Sequence, residues 1–421
     1  METLITTKPT TWAEVNAQGD LVIPRDLVEQ FGLTPGARVR MEGDTNHVRL
    51  HRPVTHLAKV YVEPTIYCNL DCRTCIRNVW DEKLGLMTDA NFARILAGIQ
   101  SVSPRPSVFF GGLGEPLFHK RTIEWIAQAK AAGAQVEMIT NATLLDEEKA
   151  RQIVAAGLDI LWVSIDGATP ESYTDVRLGA QLPRVIENVM RFRRLRKGGH
   201  FATPEIGIAF VAMKRNIADL PEVINLAKRL GARHFKVSNV LPYTDELRDE
   251  MLYTKVLSDL AYMPAPGIPR ISLPKMEFNA QTMGPLFKAM SSGFNVNLAG
   301  NNLGGANDVC NFIEGGSISV GWDGSVAPCL PMLHTHAHYF KNRQHLVKRH
   351  ILGNIAERDL LDLWLEPEYV QYRERVQSFA FAPCTFCGGC ELLDTNEEDC
   401  LGNVFPSCGG CLWAQGVIQC P

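Results

Sequence analysis

The chain has no long apolar run, no excess of positive charge and, over positions 76–309, no cysteine. Each absence excludes something. A membrane-spanning helix needs roughly 20 consecutive apolar residues, and no stretch of the sequence approaches that. Lysine and arginine number 42 against 46 aspartates and glutamates, a net charge of −4, so the basic surface of a protein that lives on nucleic-acid phosphates is missing. The opening METLITTKPTTWAEV has neither the charged head nor the apolar body of a secretory leader, which makes a cytoplasmic location the expectation. Apolar residues make up 46% of the 421 and charged residues 21%, enough core material to exclude wholesale disorder.

Cysteine is what the chain has in excess. Its twelve cysteines fall in two groups: Cys68, Cys72 and Cys75, then Cys310, Cys329, Cys384, Cys387, Cys390, Cys400, Cys408, Cys411 and Cys420. A secreted disulfide scaffold would be short and evenly stapled. Close-spaced cysteines grouped in a long chain expected to be cytoplasmic read as metal ligands.

Four regions are expected. Residues 1–55 contain the turn Gly19-Asp20, the strand Leu21–Ile23, a helix from Asp26 to Phe31 closed by Gly32, and the strands Val39–Met41 and Val48–Leu50. Residues 56–240 alternate apolar strands (Val60–Ile66, Val108–Phe110, Val136–Ile139, Ile160–Ile165, Ile206–Val211, Phe235–Val240) with amphipathic helices. One helix follows Thr88, with Phe92, Ile95, Leu96 and Ile99 on one face; the others span Thr122–Gly133, Asp146–Gly157, Leu182–Arg196 and Leu220–Gly231. Strands joined by helical crossovers imply an α/β fold with a parallel sheet, and periodicity leaves open whether that sheet curls. Residues 241–309, with prolines at 264, 266, 269, 274 and 285 and a Gly/Asn/Ser-rich end, are expected to bridge or cover the open end of the sheet. Residues 310–421 should hold little helix beyond Leu360–Val376.

Cys68-x3-Cys72-x2-Cys75 directly follows the first strand. That spacing lets three thiolates converge from one loop. An iron–sulfur cube used purely for electron transfer takes four protein ligands, so three leave one iron open, as catalytic zinc keeps an open position. A zinc site completed by a distant fourth ligand is the alternative. Phe109-Phe110-Gly111-Gly112-Leu113-Gly114-Glu115-Pro116 ends the second strand, and its glycines allow a ligand close to backbone. Together these motifs resemble the radical S-adenosylmethionine (SAM) superfamily. The resemblance implies a partial (β/α)6 barrel, a [4Fe-4S] cluster on Cys68, Cys72 and Cys75, and SAM held by Gly111, Gly112, Gly114 and Glu115. It also points to Asn141, Ser164 and Arg177 as SAM contacts, for each of which a turn or capping role stands equally. The implied chemistry is reductive cleavage of SAM by a low-potential electron and hydrogen abstraction from a substrate. Thr74 stands where the superfamily often has an aromatic residue.

Cys310-x13-Gly324-x4-Cys329 frames the hairpin ISVGWDGSVAPC, and Gly353-Asn354-Ile355 with a following DLW completes a pattern that resembles the SPASM extension, a carrier of auxiliary iron–sulfur clusters. By order, Cys310, Cys329 and Cys411 would serve one cluster and Cys384, Cys387, Cys408 and Cys420 another, with Cys390 and Cys400 extra; zinc is again the alternative. The tail NEEDCLGNVFPSCGGCLWAQGVIQCP resembles a subgroup associated with maturation of tungsten-containing aldehyde oxidoreductases. Leu330 stands where the sulfatase-maturing branch has aspartate, which argues against formylglycine formation. The head resembles the AbrB-like swapped-hairpin family, implying a dimer or docking unit. Its six basic and seven acidic residues make DNA a poor partner.

His334, His336 and His338 alternate in LHTHAHYF, read as a solvated loop ahead of a metal site, and Lys341–Arg349 reads as wet surface. The expected partners are a peptide, protein or cofactor substrate and a low-potential electron donor. Ribosomal-peptide modification is the second enzyme reading, and a zinc-stabilised DNA-binding regulator the reading of another class.

Overall fold

The computed structural model describes residues 12–43, 47–196, 202–254, 270–274, 276, 279–285, 295–298, 301–303, 309–387 and 390–420. Pro264, Pro266 and Pro269 and most of 291–309 lie outside the described residues, and with them most of the expected bridge.

Six parallel strands form the centre: β1 Lys59–Val62, β2 Ser107–Phe110, β3 Val136–Thr140, β4 Ile160–Ser164, β5 Glu205–Ala212 and β6 His234–Asn239. The inner strands β1, β2 and β4 are near-continuous buried runs because helices cover the sheet, whereas β6, HFKVSN at its edge, is only partly buried. The helices between them are α1 Asp89–Ser101, α2 Thr122–Ala131, α3 Glu147–Ala156, α4 Pro170–Val176, α5 Leu182–Leu195 and α6 Leu220–Leu230. Thr88 caps α1 by accepting from the Asn91 amide at 3.1 Å, and α3 and α6 end on Gly157 and Gly231 in the left-handed conformation. The buried face of α1 is Phe92, Ile95, Gly98 and Ile99, with Leu96 only partly buried. Helix α4, absent from the sequence reading, begins at the capping box of Thr169 and Ser172.

The C-terminal region joins this sheet. Strand β7 Ser317–Val320 pairs parallel with β1, from Ser317 opposite Lys59 to Val320 opposite Val62, and β8 Ser325–Ala327 folds back on it. The hairpin β9 His336–Phe340 and β10 Arg343–Val347 stands apart, and β11 Gly353–Asn354 closes the far edge. The sheet order is β6-β5-β4-β3-β2-β1-β7-β8-β11.

Four expectations need correction. The helix read over Leu360–Val376 is two, Leu360–Trp364 and Pro367–Gln377, because Pro367 forces Glu366 out of helical geometry. In the head, the strand is Met41–Gly43, without Val39 and Arg40, and Ile23 lies outside Leu21–Val22. His334, His336 and His338 are buried rather than solvated, the last two on β9. Among the described residues no three His, Cys, Asp or Glu side chains are placed to hold a single ion, so the histidines form no such centre. Lys341–Arg349 is mostly strand β10, with His345 buried. No helix among the described residues is long and apolar enough to cross a membrane.

Candidate active site

Loops at the C-terminal ends of β1 to β4 meet, and in open α/β sheets that edge is where ligands bind. With Arg177 and Tyr243 they enclose a cavity of about 200 Å3. Cys68, Cys72, Cys75, Gly112, Gly114, Glu115, Asn141, Ser164 and Arg177 all line it. Gly111 does not. A Cβ there would lie 2.5 Å from the Phe109 ring and 3.1 Å from Ile139 Cγ2, so Gly111 lets the loop cross those side chains rather than touch a ligand.

The cysteine loop is held by its own backbone and by α4. The Cys75 amide and Asn78 Nδ2 both donate to the Cys72 carbonyl at 2.9 Å, and the Arg73 amide donates to Val176 O at 2.9 Å. Burial pushes all three thiols up, Cys72 to about 11, against the opposing pull of Arg177 on Cys72 and of Arg77 on Cys75. Such thiols stay protonated at neutral pH until a metal displaces their protons.

The glycine loop is fixed by close approach. A Cβ on Gly114 would sit 2.1 Å from Thr65 O, and Gly112, at φ +103°, presses on the Glu63 side chain. Glu115 is buried, and its carboxylate accepts from Thr140 Oγ1 (2.7 Å), the Leu117 amide (3.1 Å) and the Asn141 amide (2.8 Å). Burial raises its pKa against those three donors. Glu115 therefore ties the loop after β2 to the end of β3, a structural duty the sequence did not reveal. Asn141 Nδ2 donates to Asn69 Oδ1 at 3.1 Å and lies 3.8 Å from Cys68 Sγ. Arg177 pairs with the fully buried Asp166 at 2.7 Å and reaches to 4.0 Å from Cys72 Sγ, while its Nε has no partner among the described residues. Burial opposes the Arg177 charge, but Asp166 and Cys72 more than offset it.

Sequence reasoning missed Glu63 and Tyr243, and read His334 as solvated. Glu63 Oε1 accepts from the Leu113 amide (2.9 Å) and Oε2 from His334 Nε2 (2.8 Å); His334 Nδ1 pairs with Glu82 (2.7 Å). The one available signal was a lone carboxylate inside the apolar run Val60–Ile66.

The later cysteines lie near one another in two groups. Cys329 lies within electrostatic reach of Cys310, Cys411 and Cys408, and Cys408 of Cys411 and Cys310. Cys384 has Cys400, Cys390 and Cys387 as neighbours. Cys408 thus lies near Cys310, Cys329 and Cys411, and Cys390 and Cys400 lie near Cys384. Cys420 stands outside both; its sulfur accepts from Trp413 Nε1 at 3.4 Å, and burial raises its thiol against the pull of Lys236 and Lys59.

Residues 62–252 match the radical SAM superfamily, and residues 310–391 match the SPASM iron–sulfur cluster-binding domain. The chain is a radical SAM enzyme carrying a SPASM domain, which sets aside the zinc-stabilised regulator. It is similar to the tungsten-containing aldehyde ferredoxin oxidoreductase cofactor-modifying protein of Pyrococcus furiosus, with 29% identity over 372 residues, 86% of this chain and 96% of that protein. It is also 29% identical over 181 residues to the AdoMet-dependent heme synthase of Methanosarcina barkeri, covering 43% of this chain and 50% of that one. Streptococcus suis SuiB bound to S-adenosylmethionine superposes with a TM-score of 0.51 at 16% identity, covering 81% of this chain and 72% of SuiB, and shares the α/β partial-barrel fold. The cofactors are iron–sulfur clusters and SAM. The cavity suits them: three thiols on its wall, a mostly buried guanidinium with one N–H unpartnered among the described residues, and the loop glycines Gly112 and Gly114 on the same wall.

Proposed function

We propose that this chain matures a tungsten-containing aldehyde oxidoreductase by abstracting hydrogen from its cofactor or polypeptide, in the cytoplasm. The observation that carries the reading is similarity along 96% of the Pyrococcus furiosus cofactor-modifying protein in a chain whose three-cysteine cavity is intact. Cys68, Cys72 and Cys75 would hold the catalytic [4Fe-4S] cluster and leave one iron for SAM. When bound, this pair supplies one-electron reductive cleavage of SAM and, through it, hydrogen abstraction. The chain's own task is placement. Gly112 and Gly114 admit SAM to the backbone, Arg177 offers its free N–H to an anionic group, and Asn141 and Ser164 line the same wall. Glu115 holds two of these loops in register. One auxiliary cluster would sit on Cys310, Cys329, Cys408 and Cys411 and a second on Cys384, Cys387, Cys390 and Cys400, with a low-potential donor feeding electrons.

Residues 12–50 would join two copies. Trp12, Val15, Leu21, Val22, Met41 and Val48 are all at least half exposed there.

The test is incubation of the reduced protein and SAM with the deuterated oxidoreductase or its isolated cofactor. Deuterium should appear in 5′-deoxyadenosine with the matching substrate and vanish in Cys72→Ala. Transfer from a short ribosomal peptide, and none from the oxidoreductase or its cofactor, would overturn the assignment.

A further inference from the structure

A second cavity, about 140 Å3, adjoins the first and shares Ile76, Gly112, Leu113 and Tyr243 with it. Residues of the C-terminal region close it: Leu330, Leu333, His336, Trp413 and Cys420. Its size is close to the roughly 150 Å3 of an apolar protein cavity known to accept benzene. Its aromatic walls are Tyr243 and Trp413, and Tyr243 stands edge-on to His336 with ring centroids 6.0 Å apart.

Its polar groups are not equivalent. Glu63 and His334 satisfy each other at 2.8 Å and have further partners in Leu113 N and Glu82. His336 does not share that network. It is 6% exposed, and its Nδ1 lies 3.0 Å from the His334 carbonyl. A carbonyl only accepts, so Nδ1 carries the proton and Nε2 is left as a bare acceptor. Nε2 is buried and has no partner among the described residues. Burial, and then the nearby His345 and His334 rings, hold His336 neutral, with its pKa pushed down to about 4.

We propose that this cavity seats a ring-sized apolar group bearing one N–H or O–H, which donates to His336 Nε2. This deepens the radical SAM reading, because the shared wall would present that group to the SAM cavity. A buried acceptor left unpaired penalises any ligand lacking the donor, so the site discriminates by that single hydrogen. The ring can belong to a free heteroaromatic molecule or to a polypeptide side chain.

The experiment uses the anaerobically reconstituted holoenzyme with SAM and no reductant, titrated with phenol and with anisole by ligand-observed NMR. Phenol should bind at least about tenfold more tightly than anisole, the discrimination expected of one buried hydrogen bond. His336→Phe should erase that ratio while SAM affinity stays within about twofold, and His336→Gln, which restores an acceptor, should recover part of it. A blocked Gly-Tyr-Gly peptide then names the source. Competition with phenol marks a side chain and no competition a free ring, and either supports the pocket. Equal affinity for the two probes, no phenol binding at millimolar concentration, or an unchanged ratio in His336→Phe overturns the proposal. The wild-type ratio alone is decisive if His336→Phe fails to fold. Binding needs no turnover, so this result is independent of whether deuterium transfer succeeds.

Discussion

His334 spans two regions with one ring. Its two nitrogens pair with Glu63 and Glu82, and Glu63 in turn takes the amide of Leu113 in the glycine loop. Burial works against its charge, but the two carboxylates win and raise its pKa to about 9. A group raised above its ordinary 6.5 stabilises the fold fully below pH 6.5 and loses that contribution as pH rises through about 9. The shift is worth at most roughly 3 kcal/mol. Wild-type Tm should therefore fall relative to His334→Gln between pH 7 and 10; parallel curves would contradict the pairing. Asp166 makes a second case. It is fully buried against Arg177, so Asp166→Asn leaves a buried cation poorly matched, a change on the order of 3 kcal/mol. A urea melt should show that loss together with a raised KM for SAM; an unchanged KM would separate Asp166 from the site. The cysteine trio and the glycine run were legible in the sequence because their geometry is set within one loop each. The Glu63–His334 pair was not, because its partners are 271 residues apart and only the fold brings them together.

At the scale of elements, the β/α alternation was legible because most strands carry apolar runs and several helices carry a side-chain cap or a glycine stop. What escaped reading were joins that depend on pairing. Strand β7 carries a pattern that fits any hairpin, and its parallel bond to β1 cannot be inferred from its own residues. The cysteine grouping is hard to read for the same reason: chain order puts Cys408 next to Cys411 and Cys400, while the fold brings it within electrostatic reach of Cys310. The loop after β2 offers the sharpest element-level test. Gly114→Ala puts a methyl 2.1 Å from the Thr65 carbonyl, which cannot yield as a flexible side chain would. The loop must shift, so SAM affinity should fall by about tenfold or more while far-UV circular dichroism is retained, given an overpacking cost of about 1–3 kcal/mol. Wild-type affinity in Gly114→Ala would show that the loop does not touch SAM.

At the scale of the whole molecule, the head is anchored to the C-terminal helices. Trp364 Nε1 donates to Thr55 O at 2.8 Å, Arg373 Nε to Val54 O at 2.7 Å, and Arg38 pairs with Glu374 at 3.1 Å. Arg373 is fully buried between the Trp364 and Tyr369 rings, 3.7 and 4.0 Å from their centroids. Trp12, Val15, Leu21 and Val22 of the head are at least half exposed, so in the proposed dimer the double substitution Leu21→Asp and Val22→Asp should yield a monomer by light scattering. A monomeric wild type would remove the head from the assembly.

The central claim is that Cys68, Cys72 and Cys75 hold the cluster that works on SAM. Iron analysis of the anaerobically reconstituted chain, paired with reductive SAM cleavage, tests it most directly. The wild type should carry about twelve irons, three cubes of four, and the combined Cys68→Ala, Cys72→Ala, Cys75→Ala variant about eight with no cleavage. Undiminished iron, or surviving cleavage, in that variant would contradict the account.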